Sequence, residues 1–168
     1  MRRVTAVLSV AAVVLWATAA FAQGKPNFAG KWTREAPAGG AAAAGGGGGG
    51  RGGGGGGFGM ACTITQDASN LTVEYMAGGQ NPAPIKLAYK LDGSESKNSM
   101  PGRGGGAPTE VTSIAKWDGS KLVITTKGAN GDTVRTLSMD GAKLSVETTA
   151  PGRQGGEATT TKATYTKG

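Results

Sequence analysis

The feature that most constrains this chain is an apolar residue at every second position, broken repeatedly by Asp-led turns. Leu122, Ile124 and Thr126 share one face of Lys121–Lys127, and Leu144 and Val146 share one face of Lys143–Thr148. Leu71, Val73 and Tyr75 repeat the pattern, and Ile85, Leu87, Tyr89 and Leu91 extend it over four positions. Period two with β-branched residues specifies half-buried strands, and no stretch after the first twenty-odd residues carries a helical period. Asp92-Gly93, Asp118-Gly119 and Asp140-Gly141 are the strongest short hairpin signal there is. Gly128–Gly131 and Asp67–Asn70 are two further turns. The phrases at 65–73, 116–124 and 138–146 are variants of one unit: strand, Asp-led turn, then a Leu-x-Val/Ile or Leu-x-Ile-type strand.

These signals predict about nine strands, near 29–34, 61–66, 70–76, 84–91, 110–117, 121–127, 132–139, 143–149 and 158–166. Short sequential connections make an antiparallel meander. A meander this long must protect its edges, and closure does so best. The expected fold is therefore all-β, an up-and-down barrel of about 8–10 strands, with a sandwich as the second choice.

The segment before the first strand reads differently. Arg2 and Arg3 precede an apolar run, Val4–Ala19, and Ala20-Phe21-Ala22 is a small-x-small cleavage site. That is the pattern of a secretory signal. Its removal leaves 146 of the 168 residues as a single domain, 23–168, and lowers the formal net charge from +7 to +5. The expected location is exported, periplasmic or secreted, with no membrane span after cleavage and a monomeric product.

Residues 39–59 hold 15 glycines, four alanines, Arg51 and Phe58. Glycine loses the most backbone entropy on ordering, so this tract is expected to be a disordered loop within the domain. Shorter glycine-rich pieces lie at 101–106 and 151–156. Scattered arginines among glycines make few phosphate contacts, and an exported chain seldom meets RNA, so no nucleic-acid partner is expected.

Composition removes most enzymes. There is no histidine, hence no Ser-His-Asp triad, no Cys-His dyad and no His-ligated metal. A single cysteine, Cys62, rules out a disulfide framework and a Cys-type zinc site. No spacing selects a pair of carboxylates. The expectation is a non-enzyme with no cofactor and no metal. Asp67, Asp118 and Asp140 each have a turn to hold.

One motif carries a resemblance. Asn27-Phe28-Ala29-Gly30-Lys31-Trp32 resembles the opening Asn-Phe-x-Gly-x-Trp of the lipocalin and fatty-acid-binding superfamily. The recurrent Asp-Gly-x-x-Leu-x-Val phrase is similar to that of small exported bacterial proteins described as lipocalin-like. The resemblance implies a calycin-type barrel whose closed end is built from Phe28, Gly30 and Trp32, with the tryptophan beneath a basic residue of a late strand. Arg135 and Lys162 are the candidates for that cover. Two departures stand out. The place of the family's helical portal holds the glycine tract, and the family's terminal Arg-x-Tyr is Ala163-Thr164-Tyr165 here, without the arginine.

Inward faces would present Ile64, Leu71, Val73, Leu87, Tyr89, Leu122, Ile124, Leu137, Leu144 and Val146, joined by Trp32 and Tyr165. In a wide barrel they line an apolar pocket; in a narrow one they fill the core, the more ordinary outcome. Tyr75, Tyr89 and Tyr165 are read as strand tyrosines with wet hydroxyls. Cys62 is read as a small buried hydrophobe. Trp117 is either a surface aromatic or a plug at the barrel end. The leading functional expectation is an exported module holding a small apolar or amphipathic molecule inside the barrel. The alternative is a filled barrel that contacts anionic envelope polymers through its basic surface.

Overall fold

The computed structural model describes residues 24–36, 57–77, 82–101, 106–152 and 156–168. The expected leader, 1–22, and all of the glycine tract except Gly57–Gly59 lie outside the described residues. Ten antiparallel strands form one sheet: β1 (Gly30–Arg34), β2 (Ala61–Gln66), β3 (Asn70–Met76), β4 (Pro84–Lys90), β5 (Glu95–Met100), β6 (Thr109–Asp118), β7 (Lys121–Thr126), β8 (Thr133–Asp140), β9 (Lys143–Ala150) and β10 (Thr159–Lys167). No helix occurs among the described residues. The order β4-β3-β2-β1-β10-β9-β8-β7-β6-β5 is a meander in which the first strand pairs with the last, at Trp32↔Lys167 and Arg34↔Tyr165.

Local chemistry explains the turns. Gly93, Gly119 and Gly141 have φ of 84°, 58° and 60°, the left-handed conformation each Asp-Gly turn requires. The Asp67 carboxylate accepts the Ser69 and Asn70 N–H groups, both at 2.7 Å, and this holds its carboxyl below the usual value. The burial pattern of β4, alternating exposed and buried from Pro84 to Lys90, is the period-two pattern in three dimensions. The ten expected inward positions are all buried, none more than 3 % exposed.

Strand β5 is the one element missing from the sequence expectation. Its inward residues are Ser96 and Asn98, polar in a position where an apolar alternation signals a strand. They have a structural task. β4 and β5 are the two sheet edges, and no backbone ladder joins them. Instead the Asn98 side-chain amide accepts the Ala88 N–H at 2.7 Å and donates to the Ala88 carbonyl at 3.0 Å. Ser96 Oγ accepts the Lys90 N–H at 2.9 Å. Side chains thus stand in for the missing strand contact and close the barrel nearly completely.

Candidate functional site

One end of the barrel is sealed by the residues that precede β1. Phe28 is fully buried, its N–H held by Gln66 Oε1 at 2.8 Å, and the Trp32 indole donates to its carbonyl at 2.8 Å. The Phe28 ring stacks on Trp117, with centroids 5.9 Å apart and planes 10° apart, so Trp117 is part of the barrel end and not a surface aromatic. Gly30, at φ 149°, lies so close to Lys167 that a Cβ there would stand 2.8 Å from its Cε. That approach puts Lys167 Nζ 5.9 Å from the Trp32 ring centroid.

Lys167 is therefore the basic cover of Trp32, and the expectation of Arg135 or Lys162 in that role is corrected. The reason is register: β1 pairs with β10 so that Trp32 stands opposite Lys167. Arg135 points into the barrel at a different level. It shares the inward parity of Leu137, pairs with Ile124 on β7 and Thr148 on β9, and its Cζ lies 5.8 Å from the Phe58 ring centroid.

Phe58 is a residue that sequence reasoning left inside the glycine tract, yet it is fully buried. It lies at the β2 end opposite Phe28: β2 starts three residues after it and finishes at Gln66, which holds Phe28. The Phe58 N–H donates to Tyr165 Oη at 2.8 Å, and that hydroxyl donates on to the Gly59 carbonyl at 3.1 Å. Its ring packs at 5.9 Å and 55° against Tyr75. The only sequence signal for this role is that Phe58 is the sole apolar side chain larger than a methyl in 39–59.

The Tyr165 hydroxyl is bonded on both sides, and all three tyrosines are buried as residues. Tyr75, Tyr89 and Tyr165 are 5 %, 2 % and 0 % exposed. Burial pushes all three up, Tyr89 to about 12, and the Arg135 charge partly offsets this for Tyr75 and Tyr89. Cys62 is buried beside them, and desolvation pushes its thiol up to about 12. A thiol so held is protonated at neutral pH and a poor nucleophile.

The interior has two chemically different walls. β1–β4 present Trp32, Ile64, Leu71, Val73, Leu87 and Tyr89. β6–β10 present Leu122, Ile124, Leu137, Leu144 and Val146 and, above them, hydroxyls: Ser113 bonds Thr126 at 2.9 Å, and Thr148 lies beside Arg135. Ser113 and Thr148 escaped the sequence reading because Thr and Ser alternate on both strand faces, whereas Thr126 was legible on the face of Leu122 and Ile124. Two buried polar atoms here lack a hydrogen-bond partner, Arg135 Nε and Thr148 Oγ1. No carboxylate pairs with Arg135 among the described residues. The interior thus offers an apolar body with one cationic, hydrogen-bonding corner. A concavity of about 790 Å³ opens to solvent along β1–β4; its lining takes in Lys31, Glu74 and Lys86 and also Trp32, Cys62, Tyr75 and Ile85. No group of His, Cys, Asp and Glu among the described residues could hold a metal ion.

The fold defines a class: a nearly closed, antiparallel up-and-down β-barrel. No protein-family model and no curated protein matches the chain. Among solved structures, zebrafish ileal bile acid-binding protein in complex with cholic acid is similar, with TM-score 0.52 and 19 % identity over 84 % of this chain and 98 % of that one. Wild-type fluorescent protein UnaG matches with TM-score 0.49 and 20 % identity, over 64 % of this chain and 72 % of that one. At 19 % identity the likeness to the bile acid-binding protein is one of fold.

Proposed function

We propose that this chain is an exported, non-enzymatic carrier that holds one small amphipathic molecule inside the barrel, its anionic end at Arg135. The observation that carries the reading is the Arg135 guanidinium: it points into an apolar barrel, with a buried Nε that has no hydrogen-bond partner and no carboxylate facing it. The Arg135 side chain is half-buried, and its sheltered Nε costs free energy until an acceptor meets it. The unpartnered Thr148 hydroxyl beside it supplies a second contact. The barrel fold supports the reading, since a similar barrel was crystallised with cholic acid. Export rests on the sequence pattern of residues 1–22 alone.

One observation favours the rival reading of a filled barrel acting through its basic outer surface: interior residues such as Leu71, Val73, Leu122 and Val146 are fully buried. Calorimetric titration with dodecanoate and with uncharged dodecanol decides between them. The carrier reading expects dodecanoate to bind with one-to-one stoichiometry and more tightly than dodecanol by about ten- to a hundredfold, the range of a charge-assisted hydrogen bond. Arg135→Gln should abolish that preference. Absence of binding by either compound refutes the carrier and leaves the filled barrel.

A further inference from the structure

The carrier reading leaves a question that Phe58 answers: what occupies the cationic corner now. Phe58 belongs to no strand, yet its ring lies deep among side chains from three separated strands, Tyr75 on β3, Arg135 on β8 and Tyr165 on β10. Backbone enters with it. A Cβ on Gly57 would collide with the Tyr165 hydroxyl, and Gly59 adopts φ 71° with only 3.0 Å between its own Cβ position and the Met76 carbonyl. Both flanking residues therefore have to be glycine for the insertion to be this deep. The Tyr165 hydroxyl spends both its hydrogen bonds on this segment, one to Phe58 N–H and one to Gly59 C=O.

An ordinary core phenylalanine is carried by a strand and packs on aliphatic neighbours. Phe58 is met by an edge-tilted aromatic ring, by a guanidinium over its face and by a hydroxyl that reads a donor and an acceptor beside the ring. Those are the contacts of an aromatic-recognition site. They do not discharge the site's charge, because Arg135 Nε and Thr148 Oγ1 keep no partner while Phe58 is in place.

We propose that Gly57-Phe58-Gly59 is a tethered surrogate ligand, and that the diffusible ligand is a planar aromatic anion that displaces it. The ligand's ring takes the place of Phe58 against Tyr75 and under Arg135. Its anionic group meets Arg135 Nε and Thr148 Oγ1, and the Tyr165 hydroxyl is released from the segment. The inference rests on the carrier reading and adds to it the ligand class and the competitor. The apparent affinity of the wild-type protein is then the intrinsic affinity multiplied by the fraction of molecules with the segment out.

The test is isothermal titration of the full chain with 2-naphthoate, a planar aromatic anion, and with dodecanoate, an aliphatic one. Gly57→Ala, which pushes the segment off Tyr165, and Phe58→Ala, which removes the ring, should each tighten 2-naphthoate by about tenfold or more. Dodecanoate should change by less than about threefold, since a flexible chain needs only the apolar body and the charge. A second measurement needs no variant: saturating wild-type protein with 2-naphthoate should speed hydrogen exchange at the Phe58 amide, because the displaced segment leaves its acceptor, Tyr165 Oη. Unchanged or weakened 2-naphthoate binding in folded variants, or a Phe58 amide that exchanges no faster in the complex, overturns the surrogate. Dodecanoate binding without any 2-naphthoate binding overturns the aromatic class and leaves the carrier standing. Binding of neither compound to wild type or variants removes the carrier and this inference with it.

Discussion

Asn98 makes the closure of this barrel testable by a single substitution. It is 6 % exposed and uses both ends of its amide on one residue, taking the Ala88 N–H at 2.7 Å and giving to the Ala88 carbonyl at 3.0 Å. Asn98→Ala removes both bonds. At about 1 kcal/mol net per bond the loss is about 2 kcal/mol, rising to about 4 kcal/mol where the Ala88 groups stay dry and unpaired. Ser96→Ala removes one bond, to the Lys90 N–H at 2.9 Å, and should cost about half as much. For a domain of this size about 1 kcal/mol moves the melting temperature by about 3–5 °C, so Asn98→Ala should melt about 6–10 °C lower and more if the seam stays dry. The assay is thermal and urea unfolding of both variants, of the pair, and of Ser99→Ala on the exposed face of the same strand. Hydrogen exchange localises the effect. The Ala88 amide should lose protection in Asn98→Ala, while the Tyr89 amide, which faces β3 by the alternation of an antiparallel strand, keeps it. A melting shift no larger than that of Ser99→Ala, or an unchanged Ala88 exchange rate, would refute the claim that these side chains stand in for a ladder.

Three further outcomes follow from the same structure. Trp32→Phe should lose about 1–3 kcal/mol with the indole bond to the Phe28 carbonyl, and the freed Phe28 should let Trp117 fluorescence shift to the red; an unshifted spectrum counts against the seal. Gly30→Ala should cost about 1–3 kcal/mol because φ 149° is strained for an L side chain, and Lys167→Ala should not rescue it; full rescue would make the crowding at Lys167, not the backbone, the cause. Stability should be flat between pH 8 and 9 and fall above it, because the Cys62 thiol is pushed from 9.0 to about 12 in the fold and ionises first in the unfolded chain. Tyr89 acts in the same direction from 10.0 to about 12. Urea midpoints from pH 8 to 11 check this, and the decline between pH 9 and 10 should flatten in Cys62→Ala; an unaltered slope there would exonerate the thiol.

The strands and their inward faces were legible in the residues because a period-two pattern forces them. A strand shifted by one residue would turn Leu71, Val73 and Tyr75 to water, so alternation alone settles which side is inside. The Asp-Gly turns were legible for a similar local reason: Gly93, Gly119 and Gly141 supply the positive φ that the turn needs. The closed end was legible through Phe28, Gly30 and Trp32, which lie within a few residues of one another.

What only the tertiary structure decided involves residues far apart in the chain. β5 is a strand through its ladder with β6, and its polar Ser96 and Asn98 gain partners on the backbone of β4 only once the two edges meet. Lys167 rather than Arg135 covers Trp32 because the first and last strands pair, 135 positions apart at Trp32↔Lys167. Arg135 is thereby left for the interior, where three strands and Phe58 surround it. Phe58 itself sits in a run whose composition specifies no local structure, and its place is set by Tyr165, 107 residues later. Alternation and turn chemistry act over a few residues and so can be read along the chain. Partner choice inside a closed barrel is set by register and closure, which a local pattern does not contain.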